Sequence, residues 1–319
     1  MKIVVLDGYT VNPGDNPWDD LARFGELTVY DRTPVEHLLS RARLADVLLV
    51  NKVPLTAQTL AQLPELRFVS VLATGYNVVD VAAARQRGIP VSNVPEYGTD
   101  SVAQHVFALL LELCHQAGVH SAAVMAGEWV RAQDFCFWKT PPIELAGLTM
   151  GIIGFGRIGQ RVGAIAHAFG MSVMAAGGSS AAQPGYQPFA WKNMLAVFSA
   201  ADVVSLHCPL TDSNARFVNR QLLSRMKPSA FLINTARGQL VDEQALADAL
   251  NSGQLAGAGL DVVSVEPMLP DNPLLHARNC VITPHMAWAS LAARRRLMAV
   301  TVANVNAFLA GKPINVVNP

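Results

Sequence analysis

The sequence predicts an α/β protein of two parallel-sheet domains, and three observations predict it. Short apolar runs alternate with helix-period stretches along the 319 residues. Strands separated by helices must be joined by crossovers, which give parallel sheets covered on both faces. Near the middle, a Gly154-Phe155-Gly156-Arg157-Ile158-Gly159 turn joins one such run to one such helix. Finally, Pro95-Glu96-Tyr97-Gly98 and Thr283-Pro284-His285 read as two hinges. Two hinges imply that the chain leaves a first domain, builds a second and returns. The expected division is 1–98 with 288–319, and 99–287.

In order, residues 2–7, 27–30, 46–50, 67–73 and 89–92 read as short buried strands. Helical patterns at 34–43, 56–62 and 79–87 separate them. Past the first hinge, Thr99-Asp100-Ser101 is expected to cap a helix over 102–116, with Ser101 and Gln104 as a capping box. That helix is apolar nearly all round, so burial between domains or subunits is expected. Residues 119–147 are the least regular part. There Phe135, Phe137 and Trp138 stand beside Pro141 and Pro142. They form either a connector or, the favoured reading, a dimer arm with Trp138 lining a pocket.

The glycine turn follows an apolar run and precedes Ile158, Val162, Ile165 and Phe169 at helical spacing, with Gly170 as the stop. Residues 171–175 read as the next strand. Strand, tight turn and helix are the context in which GxGxxG binds a dinucleotide rather than merely turning the chain. Gly154 makes the turn, Gly156 lets the backbone approach a pyrophosphate, and Gly159 lets helix and strand pack. The helix N-terminus offers N–H groups to the anion. Further strands are expected at 202–208, 230–234, 257–262 and 280–283. Helices are expected over 243–252 and 290–309.

A formal net charge of zero, without blocks of either sign, removes an electrostatic case for nucleic acid. Four cysteines lack metal spacing and read as reduced thiols. No apolar run is long enough for a membrane span, and the N-terminal run reads as a strand rather than a signal peptide. A soluble cytoplasmic protein is expected.

Ligands of open α/β sheets bind at the carboxyl ends of strands. Three such ends carry Asn234-Thr235-Ala236-Arg237-Gly238, Asp261-Val262-Val263-Ser264-Val265-Glu266-Pro267 and Thr283-Pro284-His285-Met286-Ala287-Trp288. They offer a guanidinium, a carboxylate and an imidazole. Singly each has a bland reading: a solvated Arg, a helix-capping Glu, one structural His among eight.

Together with VLATGYN at 71–77, SVAQH at 101–105 and GIIGFGRIGQ at 151–160, these motifs make the chain resemble the D-isomer-specific 2-hydroxyacid dehydrogenases over essentially its whole length. The nearest branch is the glycerate dehydrogenase, or hydroxypyruvate reductase, type. The resemblance implies two Rossmann-like domains, a dinucleotide-binding one (99–287) inserted into a discontinuous, flavodoxin-like substrate domain. It implies a homodimer and reduction of a small 2-keto acid such as hydroxypyruvate or glyoxylate. Arg237 would bind the substrate carboxylate. His285 would protonate the keto oxygen as hydride arrives, and Glu266 would hold the charged imidazole and raise its pKa. Backbone N–H groups of Ala73-Thr74-Gly75 would complete the carboxylate site, in a cleft that closes.

The resemblance also puts Val102, Thr235 and Ala236 near the nicotinamide and Asp261 on its carboxamide. His207-Cys208-Pro209 would line the adenosine side. His207 is the one rival imbidazole to His285, whereas His105, inside the long helix, reads as a packed core residue. Trp288 is expected at the pocket edge, and Asn51 and Lys52 end a strand that could face the substrate. The family's NAD users place an Asp at the end of the second strand of the dinucleotide unit. Here Gly177 stands there, followed by Gly178, Ser179 and Ser180. Loss of the carboxylate and gain of hydroxyl donors favour NADP(H) or dual use. Arg157 is the nearest cation, though common in NAD users. Phosphite oxidation and, less so because Glu266 is present, formate oxidation are rivals within the fold. A dinucleotide-sensing corepressor is the rival outside catalysis.

Overall fold

The computed structural model describes residues 1–177 and 183–319. It divides into two compact units, Met1–Gly98 with Trp288–Pro319, and Thr99–Ala287. The first unit opens with β1 (Lys2–Val5), α1 (Asp19–Ala22), β2 (Glu26–Val29), α2 (Val35–Ala42) and β3 (Val47–Val50). It continues with α3 (Ala57–Ala61), β4 (Phe68–Val71), α4 (Val81–Gln86) and β5 (Val91–Ser92). The five strands form one parallel sheet in the order β2-β1-β3-β4-β5. Every residue of β3 and β4 is buried, which is why they read as unbroken apolar runs rather than alternating ones. Thr56 and Asp80 cap α3 and α4 by accepting N–H bonds from Thr59 and Ala83.

The second unit begins with α5 (Thr99–His115) and α6 (Ala117–Met125), then β6 (Thr149–Ile153), α7 (Arg157–Ala168), β7 (Ser172–Ala176) and β8 (Phe189–Trp191). α8 (Met194–Ala200), β9 (Val203–Leu206), α9 (Arg220–Leu223), β10 (Phe231–Asn234), α10 (Glu243–Asn251), β11 (Gly257–Leu260) and β12 (Cys280–Ile282) follow. Among the described residues its seven strands are parallel in the order β12-β11-β10-β9-β6-β7-β8. β6 lies between β9 and β7, so the strand order reverses there, at the point where open sheets place ligands. Neighbouring residues serve opposite faces. Ile152 and Ile233 pack under α5 and α7, while Ile153 and Leu232 pack under α8, α9 and α10. Each such side chain contributes roughly 1.5–3 kcal/mol by burial.

The chain then returns to the first unit as α11 (Leu291–Leu309), capped by Ser290 and stacked through Phe308 on Phe68 of β4 at 4.5 Å. Arg294 of α11 is 7% exposed and pairs with Asp15. Among the described residues no helix is long and apolar enough to cross a membrane.

Three expectations need correction. α5 begins at Thr99, so Ser101 lies in its first turn and is not an N-cap. Asp100 instead puts a carboxylate near the positive end of the helix dipole. Within one chain α5 is also not buried all round: its apolar stripe packs on β10, β11, β12 and α7, and Gln104, Ala108 and His115 are exposed, so fuller burial would require a second subunit. A helix over Ala117–Met125 runs into the start of the segment expected to be irregular, because small residues carry it without a strong apolar period.

Candidate active site

The turn after β6 has the shape its glycines predict. Gly154 takes φ +93°, and a Cβ there would lie 2.6 Å from the Cys208 nitrogen. A Cβ on Gly159 would lie 2.3 Å from the Gly154 oxygen, so α7 can approach the turn only with glycine in place. A Cβ on Gly156 would meet nothing within 4 Å. Gly156 also provides no side-chain cap for α7, the arrangement in which a helix N-terminus takes an anion. Ile158 is half-buried and Arg157 is exposed on the first turn. Gly177 follows β7 with φ +76°, exposed and opposite the turn, its carbonyl accepting the Phe155 N–H at 3.3 Å. Ser179 and Ser180 lie outside the described residues.

His207, Cys208 and Pro209 follow β9 against this turn. The His207 Nε2 is 2.8 Å from the Ser205 hydroxyl, and burial pushes its imidazole down to about 3. Its imidazolium is disfavoured and its Nε2 is engaged by Ser205, so His207 is poorly suited to giving up a proton as a general acid. Burial likewise raises the Cys208 thiol.

The tips of β10, β11 and β12 are brought together by close backbone approach. Asn234, 1% exposed, accepts the Ala236 N–H on Oδ1 and donates from Nδ2 to the Arg237 carbonyl, which fixes the turn presenting Arg237. A Cβ on Gly238 would fall 1.9 Å from the Val263 carbonyl carbon, so only glycine lets this turn lie against 263–264. Gln239 and Glu243 tie Ser264 from the same side. The exposed Arg237 donates from Nη1 to the Ala236 carbonyl at 2.7 Å. Glu266 accepts the Val263 N–H on Oε1 at 3.2 Å and faces His285 Nδ1 with Oε2 at 2.7 Å. A carboxylate only accepts, so Nδ1 carries the proton and Nε2 is the nitrogen left for chemistry.

His285 sits in the left-handed region at φ +53°, a conformation costing on the order of 1–3 kcal/mol unless its surroundings over-determine it. They do. Its N–H bonds the Asp261 carbonyl at 2.8 Å and the Thr283 carbonyl at 3.0 Å. The Asp261 carboxylate, 1% exposed, accepts from the Thr283 hydroxyl at 2.6 Å, from Met286 N–H at 2.9 Å and from Ala287 N–H at 2.8 Å. Asp261, assigned by resemblance to the carboxamide, is therefore first the anchor of the His285 loop, with one lone pair of Oδ2 left over. His105 is not an inert core residue either: its Nε2 is 2.9 Å from the Thr283 hydroxyl and 3.5 Å from Asp261 Oδ1. Sequence reasoning missed it because helical periodicity records burial and not the direction of a ring nitrogen. Val102, one turn earlier on α5, is buried. The Thr235 hydroxyl is buried without a partner among the described residues.

The other expected residues separate by unit. Trp138, in the second unit, is 60% exposed on the segment after α6. In the first unit, the N–H groups of Asn51, Lys52 and Val53 converge on Asp7 at the end of β1. Asn51 turns inward to Thr10 and is buried, while Lys52 is exposed. Ala73, Thr74 and Gly75 follow β4, held by Thr74 Oγ1 to the Val94 carbonyl and by Asn93 to the Thr74 carbonyl. Trp288 is half-buried edge-on to Tyr97 in this unit's core. Among the described residues no three His, Cys, Asp or Glu could hold a metal ion.

Residues 107–287 match the model of the D-isomer specific 2-hydroxyacid dehydrogenase NAD binding domain. The chain is 50% identical to a hydroxypyruvate reductase of Blautia hydrogenotrophica, covering 100% of both chains. It is 41% identical to a glycerate dehydrogenase of Methylorubrum extorquens, covering 88% of each. Among solved structures, it is similar to an NADPH-dependent glyoxylate/hydroxypyruvate reductase of Sinorhizobium meliloti in complex with NADP and malonate. That likeness has a TM-score of 0.80 and 30% identity, over 99% of this chain and 96% of the other.

Proposed function

The chain belongs to the D-isomer-specific 2-hydroxyacid dehydrogenases, and from that premise we propose which side chains of this oxidoreductase do what, on which acid and with which nucleotide. It is an enzyme acting on small 2-keto and 2-hydroxy acids with NAD(P)H. Its residues fit that cofactor: an open turn at Gly156, an uncapped helix start behind it, and a buried Thr235 hydroxyl lacking a partner. When bound, the nicotinamide supplies or accepts the hydride.

The 2.7 Å contact of Glu266 with His285 carries the reading. Reduction of a keto acid puts negative charge on the keto oxygen, which must gain a proton as C2 gains hydride. His285 gives that proton from Nε2 and Glu266 offsets the imidazolium before transfer. Arg237 exchanges its bond to the Ala236 carbonyl for the substrate carboxylate, to which its planar fork is suited. Hydroxypyruvate and glyoxylate are the proposed substrates, in line with the named activities of the relatives.

Gly177 in place of an acid removes the carboxylate that would repel a 2′-phosphate, so NADPH, or both nucleotides, is the proposed donor. Four free cysteines suit a cytoplasmic, reducing setting. Met125, Val130, Phe135 and Trp138 are each at least 60% exposed, and Leu111, Ile143, Leu145 and Phe169 line a groove of the same unit. This apolar surface is proposed as the face of a homodimer, and a monomer by sedimentation at micromolar concentration would overturn that.

The test is nicotinamide oxidation against hydroxypyruvate, glyoxylate, pyruvate and phenylpyruvate, with His285→Ala beside the wild type. We expect turnover on hydroxypyruvate and glyoxylate and a loss of about 10²–10⁴-fold in the variant. Undiminished turnover in His285→Ala would overturn the assignment.

A further inference from the structure

We infer that His105 is a positioning residue for the reaction, acting through Thr283 and Asp261 on the loop that carries His285. The inference rests on the reading of His285 as the proton donor.

The proton arithmetic of the cluster fixes its direction. Thr283 has one hydroxyl proton, and its oxygen lies 2.6 Å from Asp261 Oδ1, which can only accept. That proton is therefore committed to Asp261. The contact of 2.9 Å between the same hydroxyl oxygen and His105 Nε2 must then be donated by the ring, so His105 carries its proton on Nε2. The Nε2–H also points toward Asp261 Oδ1 at 3.5 Å. His105 is thus the outermost donor of a chain that ends on the N–H groups of Met286 and Ala287, the two residues after His285.

The mechanical consequence follows from what holds each end. The His285 loop hangs from strand ends, and hydrogen bonds hold its left-handed residue in place. His105 sits in the second turn of α5, a 17-residue helix packed across β10, β11 and β12. The ring ties the loop to this helix. It fixes the Thr283 rotor, which fixes the Asp261 carboxylate plane, which sets where the loop carries the His285 ring. The side chain of His105 is 16% exposed and touches neither Arg237 nor Glu266 through any described hydrogen bond, so its work is done through Thr283.

The experiment compares His105→Leu, His105→Gln, Thr283→Val, Thr283→Ser and the double variant His105→Leu/Thr283→Val, with His285→Ala as reference. Gln places an N–H near the position of Nε2, and Ser keeps the hydroxyl. We expect kcat for hydroxypyruvate to fall about ten- to a hundredfold in His105→Leu and in Thr283→Val, as misplacement of a catalytic group does. NADPH affinity by nicotinamide fluorescence should stay within about twofold, Gln and Ser should restore most of the rate, and the double variant should be no worse than either single one. Turnover within about twofold of wild type in His105→Leu, with His285→Ala dead, overturns the inference and leaves the reading of His285 standing. A loss that Gln does not restore, with a matching fall in Tm, makes His105 a packing residue and also overturns it. If His285→Ala itself retains turnover, the underlying reading falls and takes the inference with it.

Discussion

Both units build a parallel sheet whose first strand is internal and is followed closely by glycine, yet the two strand ends are opposites. β6 leads into a turn where the space before Gly156 is open and the helix start has no cap of its own. β1 leads to Leu6-Asp7-Gly8, where a Cβ on Gly8 would already lie 2.9 Å from the Trp18 ring. There Asp7 brings a carboxylate of the chain itself to three backbone N–H groups. Burial raises its pKa even against those three donors. A doubly wound sheet offers an anion position at its strand ends. Whether a ligand can use it depends on whether the chain has already filled it.

The comparison breaks most directly at Gly156. Gly156→Val should fold, since the backbone there is ordinary (φ −75°) and the space is open. It should nevertheless weaken NADPH binding roughly 10–100-fold, the equivalent of about one lost charge-assisted hydrogen bond. Unchanged affinity in a fluorescence titration would show that the opening is not where the phosphates sit.

Gly177→Asp sharpens the same contrast by putting a carboxylate at the second strand end. Asp tolerates the left-handed backbone at modest strain. Steady-state kcat/KM with NADPH should fall by about tenfold while NADH is spared, since like-charge repulsion of 1–2 kcal/mol is enough. An equal loss with both nucleotides would mean the backbone, not the charge, was at stake.

The last contrast, confined to acid solution, separates the two units by pH. His207 is held below its ordinary pKa of 6.5, at about 3. The unfolded chain therefore binds the extra proton between those values, and the group costs stability as pH falls through that window. Asp7 is shifted upward, so its term runs the other way and favours the fold as pH falls toward the usual carboxylate range. His207→Gln should flatten the acid side of a Tm-versus-pH curve, and a curve that keeps its wild-type slope would contradict the assignment.

Much of this was legible in the chain. Alternating runs give parallel sheets because crossovers leave no other choice, and the GFGRIG turn announces itself by context. Glu266 and His285 were legible only as a pair of motifs, since 19 residues separate them in sequence and 2.7 Å in space. Asp7 and His105 were not legible. Each acts through hydrogen bonds to residues far along the chain, and neither a lone Asp after a strand nor a His in an apolar helix carries a pattern that shows it. The α5 start was misplaced because Thr, Asp and Ser suit a first turn as well as a cap.

Gly238 has an implication for how such an enzyme can change. With no room for even a methyl group between 238 and 263, the segments bearing Arg237 and Glu266 move as one casting. On the proposed roles, widening the hold of Arg237 on a carboxylate also displaces Glu266, the partner of the imidazole. Selection for a bulkier acid is thereby directed away from these two tips.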